Sequence, residues 1–183
     1  MKTSMHKLQT SNFKLQTSMH KLQTSNFKLQ TSMRKLQTSN FKLQTSKSPR
    51  GQRNNNPLNI KYVTTTIWVG QVRDIERSDK VFAEFYEMKY GIRAAIKLIK
   101  NYIRSGYNTI NKIISRWCPD QTQYVYQQHV GNRVKAVFPN VDRWTVISRD
   151  DKDIIREMVK AMAVMECQYR IDDDEFEEAW RLV

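Results

Sequence analysis

The sequence predicts a small α+β domain, mostly helical with a minor β-sheet, preceded by a low-complexity segment. Three observations support this fold class: a seven-residue repeat that stops near residue 48, short alternating apolar runs over 58–86, and helical apolar spacing from residue 92 onward. At 183 residues, we expect a single domain over residues 49–183. No apolar run approaches the length of about 18 residues that a membrane span needs, so we expect no membrane insertion.

The repeat between Lys7 and Ser46 cycles through KLQTSNF and KLQTSMH or KLQTSMR with a strict period of seven. The second apolar position of each unit lies five residues after one leucine and two before the next, whereas a coiled-coil seam needs spacings of three and four. Thr-Ser in every unit lowers helix propensity, and an odd period moves the leucines between the two faces of a strand. We expect residues 1–48 to be disordered or a non-native extension, with a basic tether as the alternative.

The net charge of +13 is spread unevenly along the chain. Residues 1–50 hold ten Lys and Arg and no acid, residues 51–149 hold sixteen basic and seven acidic residues, and residues 150–183 hold five and eleven. The part after residue 50 therefore carries only +3. Any nucleic-acid binding would be non-specific and steeply salt-dependent, and it is the less favoured interpretation.

Cofactor chemistry has little support in the sequence. Two cysteines do not form a disulfide framework, and two of the three histidines lie in the repeat, which leaves His129 alone. We therefore expect neither a metal site nor another cofactor.

The first part of the domain has the composition of short strands. The runs NIKYV, TTIWVG and KVFAEF, within residues 58–86, alternate apolar with polar residues and are rich in β-branched and aromatic side chains. They predict two or three short strands, separated by the TTT run and by Gly70.

Five later stretches have helical periodicity with recognisable ends. The first ends at Ser105-Gly106, because glycine favours a helix C-terminus, and the second stops at Cys118-Pro119. The expected N-terminal caps are Asn108 or Thr109, Thr122, Ser148 with Asp151, and Asp172 or Asp173. The expected inward residues are Ile92, Ala95, Ile96, Ile99 and Ile103; Ile110, Ile113, Ile114 and Trp117; Tyr126, Val130 and Val134; Ile154, Ile155, Met158, Met162 and Met165; and Phe176, Ala179, Trp180 and Val183.

Six motifs follow one another between residues 50 and 122: RGQRNNNPLNI, WVG, DKVFAEF, GIRA, TINKIISRWCP and DQT. In this order they resemble a family of phage and prophage virion structural proteins that is similar to lysozyme-superfamily murein hydrolases, the lytic transglycosylases and glucosaminidases. The resemblance covers about residues 50–126. It implies a lysozyme-like domain with a small sheet, peptidoglycan glycan strands as partner, and other virion proteins as further candidate partners.

The same resemblance implies a place in a phage particle or in the bacterial cytoplasm. The N-terminus lacks the apolar core of a signal peptide, so we expect action at the cell wall only after release or injection. The chain departs from the family at Leu58, where a glycine is usual and a turn with positive φ would be strained.

In glucosaminidases of the lysozyme superfamily, to which the family is similar, an Asn-rich segment and a Trp-x-Gly motif line a cleft for the peptidoglycan glycan. Amides would supply donors and acceptors to sugar hydroxyl and N-acetyl groups, and the indole an apolar face for a pyranose ring. The implied substrate-binding residues are Asn54, Asn55, Asn56, Asn59, Trp68, Asp120 and Thr122. The alternatives are an Asx-turn network for the asparagines, a core position for Trp68, and a helix cap for Asp120 and Thr122.

Cleavage of a glycosidic bond needs a proton donor at the leaving oxygen. The family places this donor on a Glu before the Asn-rich segment, but no Asp or Glu precedes Asp74 here. The candidate catalytic residues are therefore Asp79 and, second, Glu76, with surface ion pairs as the alternative role. The sequence leaves two functions open: cleavage of the glycan by hydrolysis or transglycosylation, and binding without catalysis.

Overall fold

The computed structural model describes residues 16, 19, 21–33 and 48–183, and the chain divides into two compact units, Met1–Lys47 and Ser48–Val183. In the first unit, residues 21–33 are helical with exposed side chains, including Leu22 and Leu29. Most of the segment 1–48 lies outside the described residues, so its expected disorder or non-native origin stays a prediction.

Within residues 48–183 the chain forms six helices, which confirms the mostly helical class. Their bounds are α1 (Arg50–Arg53), α2 (Met88–Arg104), α3 (Ile110–Trp117), α4 (Gln123–Val137), α5 (Lys152–Cys167) and α6 (Asp173–Arg181). No helix among the described residues combines the length and the apolar character needed to cross a bilayer.

The predicted small sheet is wrong for the described structure. Within residues 48–183, strand-like pairing is limited to two isolated antiparallel bridges, Lys61 with Phe82 and Gln71 with Phe85. Around the first bridge, the Ala83 N–H donates to the Ile60 carbonyl and the Tyr62 N–H to the Val81 carbonyl, both at 2.9 Å. Asn56 adds its side-chain amide to the carbonyls of Ile60 and Ala83, at 2.9 and 2.8 Å, so side chains supplement a pairing that stays too short to form a strand.

Three of the predicted helix ends are confirmed in atomic detail. Ser105 is the C-cap of α2 and is followed by Gly106 at φ +88°, a conformation that glycine adopts without strain. Thr109 caps α3 by accepting a bond from the N–H of Lys112. Asp172 caps α6 in a reciprocal capping box with Glu175.

One predicted cap is wrong, and another is confirmed in position but makes no capping bond. Helix α5 begins at Lys152 rather than next to Ser148, because Ser148 and Asp151 form a turn of their own in which Asp151 Oδ2 accepts from the Ser148 N–H at 2.7 Å. Thr122 precedes α4 but its side chain makes no capping bond to the helix; its hydroxyl donates to Asp120 instead.

The core is formed by the apolar faces of α2 to α6, and the predicted inward residues of α2 are all buried. Met158 and Met162 fill the core as expected for methionine on a packed helix face. Met165 and Val183 were predicted to face inward and are exposed instead. Val183 lies beyond the end of α6 at Arg181, and Met165 lies to the side of the buried face of α5, which continues to Cys167. Ile154, Trp117 and Trp180 are only partly buried against the core.

Candidate functional site

The Asn-rich motif forms a tight turn between α1 and the segment that precedes α2. Asn55 and Asn59 have φ of +50° and +49°, a region that asparagine tolerates better than other non-glycine residues. Leu58 does not take the positive φ that the family glycine suggested; it is fully buried, and Asn59 takes that conformation instead. Gly91 of α2 lies so close that a Cβ there would be 1.9 Å from the Asn55 carbonyl oxygen, which explains the glycine of the GIRA motif.

The side chains of the turn are used inside the protein. Asn56 is fully buried, and its Oδ1 also accepts a bond from the Ile60 N–H at 2.9 Å. Asn55 donates to the carbonyls of Phe85 and Tyr86 at 2.9 and 3.3 Å. This is the Asx network that the sequence analysis considered as the alternative role. The glycan-binding role of these asparagines stays a prediction, and a bound glycan would have to use other groups, since these amide N–H groups already bond within the protein.

Asp79 lies beside the start of the turn, and its side chain is only 6% exposed. Oδ2 accepts from Asn54 Nδ2 and pairs with Arg50 Nε, both at 2.8 Å. Oδ1 accepts from the N–H groups of Val81 and Phe82, at 2.9 and 3.1 Å. Burial raises the pKa of Asp79, but the hydrogen bonds from Asn54, Val81 and Phe82, together with the charge of Arg50, outweigh it and hold the pKa below its ordinary value.

Glu76, the second candidate acid, is exposed and is linked to the Asn-rich turn through Tyr86. Its carboxylate pairs with Arg73 and accepts a bond from the Tyr86 hydroxyl at 2.7 Å. The hydrogen bonds from Arg73 and Tyr86 lower the pKa of Glu76. Neither carboxylate therefore resembles the protonated acid that glycoside cleavage requires near neutral pH.

Trp68 is partly buried and packs against the core, and its backbone N–H donates to Gln71 Oε1 at 3.1 Å. The turn that carries it adjoins the Asn-rich turn through backbone pairing, since the Tyr86 N–H donates to the Gly70 carbonyl at 3.0 Å. The structure thus brings Asn54, Asn55, Asp79, Glu76 and the Trp68 turn into one region through the segment 79–86.

Asp120 and Thr122 belong to a different feature, an exposed turn before α4. Asp120 Oδ1 accepts from the Thr122 hydroxyl and N–H at 2.6 and 2.8 Å, and from Cys118 Sγ at 3.4 Å. These bonds lower the pKa of Asp120. No described hydrogen bond or ion pair joins this turn to Asp79 or to the side chains of Asn54 to Asn56, so a shared glycan-binding wall stays a prediction.

Glu166, at the end of α5, is a polar centre that the sequence analysis missed. Its Oε1 accepts from Trp117 Nε1 at 2.8 Å and from the Tyr126 hydroxyl at 3.0 Å. Asn59 donates to its backbone carbonyl at 3.0 Å and to Oε2 at 3.3 Å. Burial, followed by the charge and hydrogen bond of Glu166, raises the pKa of Tyr126, which keeps that hydroxyl protonated as a donor.

The sequence pointed to this centre only through its three donors, Asn59, Trp117 and Tyr126. They lie 107, 49 and 40 residues from Glu166, whose carboxylate they share as acceptor. Within the described part of the chain, no three His, Cys, Asp or Glu side chains group as metal ligands.

The sequence matches no protein-family model. Over 78 residues it is 37% identical to Protein P5 of Pseudoalteromonas phage PM2, a match that covers 41% of this chain and 48% of that protein. The chain thus spans about half the length of the curated relative it matches. The comparison supports a phage protein, in agreement with the phage part of the resemblance seen in the motifs.

Proposed function

We propose that the chain is a virion-associated structural protein of phage or prophage origin whose Ser48–Val183 unit is a lysozyme-like module that binds peptidoglycan glycan strands without cleaving them. The partial similarity to a phage protein and the six ordered motifs support the origin. The observation that carries the non-cleaving part is the environment of Asp79, whose carboxylate oxygens are occupied by four donors.

A general acid must hold a proton at the working pH and release it to the leaving oxygen. Asp79 has the opposite environment, because Arg50 and three hydrogen-bond donors favour its ionised form. Glu76 is exposed and is held ionised by Arg73 and Tyr86. The site therefore supports binding better than acid catalysis.

The glycan surface in this proposal is the face formed by Trp68, Tyr86 and Asn55. Tyr86 is 52% exposed and is held between the Gly70 carbonyl and the Asn55 amide, while Trp68 is partly exposed on the adjoining turn. Exposed aromatic rings with fixed positions offer apolar faces to pyranose rings at low entropic cost. The backbone and side-chain bonds from Asn55 give that face its rigidity.

Sedimentation with insoluble peptidoglycan, combined with chromatography of the supernatant for released muropeptides, tests the proposal. We expect the chain to sediment with the polymer and to release no muropeptides between pH 4 and 8. Tyr86→Ala should weaken binding about fivefold, since a stacking contact contributes about 1 kcal/mol. Tyr124→Ala, which removes another exposed tyrosine ring, is the matched control, with Tyr124 62% exposed against 52% for Tyr86.

Two results would count against the proposal in different ways. Release of muropeptides would overturn the non-cleaving part and would direct attention to Asp79→Asn and Glu76→Gln variants. Failure to sediment, or equal losses for Tyr86→Ala and Tyr124→Ala, would remove the glycan surface.

A further inference from the structure

A pocket of about 210 Å³ opens beside the C-terminal half of α2, at some distance along the chain from the Asn-rich turn. Helix α6 and the segment that precedes α5 supply the rest of its wall. Its lining residues are Lys97, Lys100, Asn101, Arg149, Trp180 and Val183. Three of these six are cations, and none is an acid.

The charged side chains that line this pocket are all positive. Within residues 48–183, no ion pair joins Lys97, Lys100 or Arg149 to a carboxylate, although both lysines are half-buried. Nearby cations on α5 are paired: Lys152 with Glu177 at 2.5 Å, and Lys160 with Asp173 at 2.6 Å. Unpaired like charges in a partly desolvated pocket repel one another and create a potential that favours an anion.

The helix geometry directs these groups to one place. Lys97, Lys100 and Asn101 are spaced i, i+3 and i+4, so they share one face of α2. The Trp180 ring forms a wall: Lys100 Nζ lies 4.5 Å from its centroid, and Phe176 stacks on it with centroids 5.8 Å apart. Because Phe176 and Lys100 both contact the Trp180 indole, the ring is not free to stack on a ligand. Its role is to form one wall of the pocket and to exclude part of the water from it.

We propose that this pocket binds a phosphate group. Two ammonium groups, one guanidinium and the Asn101 side-chain amide offer more donors and more positive charge than a single carboxylate would use. A tetrahedral phosphate has several acceptor oxygens and up to two negative charges, which match that set. The site is separate from the proposed glycan surface and does not depend on it.

NMR titration of the full ¹⁵N-labelled chain with inorganic phosphate, at constant ionic strength, gives a local readout. The Trp180 indole N–H signal, assigned with a Trp180→Phe variant, should shift with a saturating profile. The double variant Lys97→Gln/Lys100→Gln should weaken the apparent affinity at least tenfold. The matched control Lys112→Gln/Lys135→Gln removes the same charge from exposed positions outside the pocket and should change the affinity less than twofold.

Thermal unfolding of both double variants, compared with the native chain, tests whether each variant keeps the fold. A phosphate titration of Trp180→Phe, followed through the backbone amide signal of Lys100, gives a second readout of binding. A second titration with single-stranded oligothymidylate identifies the source of the phosphate: tighter binding than inorganic phosphate points to a phosphodiester chain, and weaker binding to the free anion. A Trp180 signal that does not move with inorganic phosphate, or equal losses in the pocket and control variants, would overturn the proposal.

Discussion

At the scale of single residues, the Asp79 carboxylate shows how a buried charge is kept in a small domain. Removing a carboxylate from water is costly unless hydrogen bonds and an opposite charge replace its hydration. Asn54, Arg50 and two backbone N–H groups supply that replacement. The contacts through which Asp79 stabilises the fold also favour its ionised form. A carboxylate that is held ionised is a poor proton donor.

We expect Asp79→Asn to lower the free energy of unfolding by about 2 kcal/mol, because it leaves Arg50 without its partner and sets two amide donors against each other. Urea denaturation at pH 7 measures the change. Asp150→Asn, at an exposed carboxylate with no described ion pair, is the control and should change stability by less than about 0.5 kcal/mol. Equal stability of the Asp79 variant and the native chain would contradict this role.

The lowered pKa of Asp79 also predicts a pH dependence. A folded-state pKa below the unfolded value of about 3.9 means that this stabilisation is present above that value and is lost as the pH falls through the folded pKa. Between pH 5 and pH 2 the native chain should therefore lose more stability than Asp79→Asn does. Parallel stability curves for the two chains over this range would show that Asp79 is not the group responsible.

At the scale of elements, the helices were predictable because their signals are local. The Thr109 and Asp172 caps and the Ser105-Gly106 end each depend on residues within a few positions. The sheet was overestimated because the extent of pairing depends on contacts between distant segments, such as the bond from Asn55 to the Phe85 carbonyl 30 positions away. Glu166 was missed for the same reason, since its three donors come from other parts of the chain.

The hydrogen bonds of the buried Asn56 side chain should contribute more to the free energy of unfolding than an ordinary surface hydrogen bond does. Asn56→Ala removes the partner of the Ile60 N–H and the amide donor to the buried Ala83 carbonyl, while the Ile60 carbonyl keeps its bond from the Ala83 N–H, so we expect a loss of about 2 kcal/mol in stability. Hydrogen exchange at the Ile60 amide should speed up more than at α4 amides. Asn132→Ala, on the exposed face of α4, is the control. An unchanged Ile60 exchange rate would contradict the role of Asn56 as the acceptor for the Ile60 N–H.

Glu166 should hold the end of α5 against α3, α4 and the Asn-rich turn. Glu166→Ala removes the acceptor for Trp117 and Tyr126 and should cost about 2 kcal/mol, whereas Glu166→Gln keeps a carbonyl acceptor and should cost less. Chemical denaturation followed by tryptophan fluorescence measures both. Equal stability of the Ala variant and the native chain would show that the cluster adds nothing to the fold.

At the scale of the whole molecule, the chain joins two units of different character. Residues 1–50 carry ten cations and no acid, and the second unit carries the core, the Asn-rich turn and the basic pocket beside α2. The repeat was recognisable from its period alone, while the bonds that join Thr122 to Asp120 and Arg50 to Asp79 became visible only in the folded chain. Family motifs therefore located the important segments better than they assigned the role of each residue.

We expect a truncated chain beginning at Ser48 to fold by itself, because the apolar core of the second unit comes from residues within it. Its unfolding temperature, measured by calorimetry, should lie within about 2 °C of that of the full chain, a difference below about 1 kcal/mol. A drop of about 5 °C or more would show that residues 1–47 contribute to the stability of the second unit.

The most direct test of the central claim, that Asp79 is a locked, ionised carboxylate and not a catalytic acid, is the pKa of its side chain. Titration of the ¹³C-labelled Asp79 carboxyl by NMR, assigned with Asp79→Asn, measures it in the full chain. The account predicts a midpoint below the ordinary aspartate value of about 3.9. A midpoint of about 6, where a glycosidase acid would be poised, would contradict it.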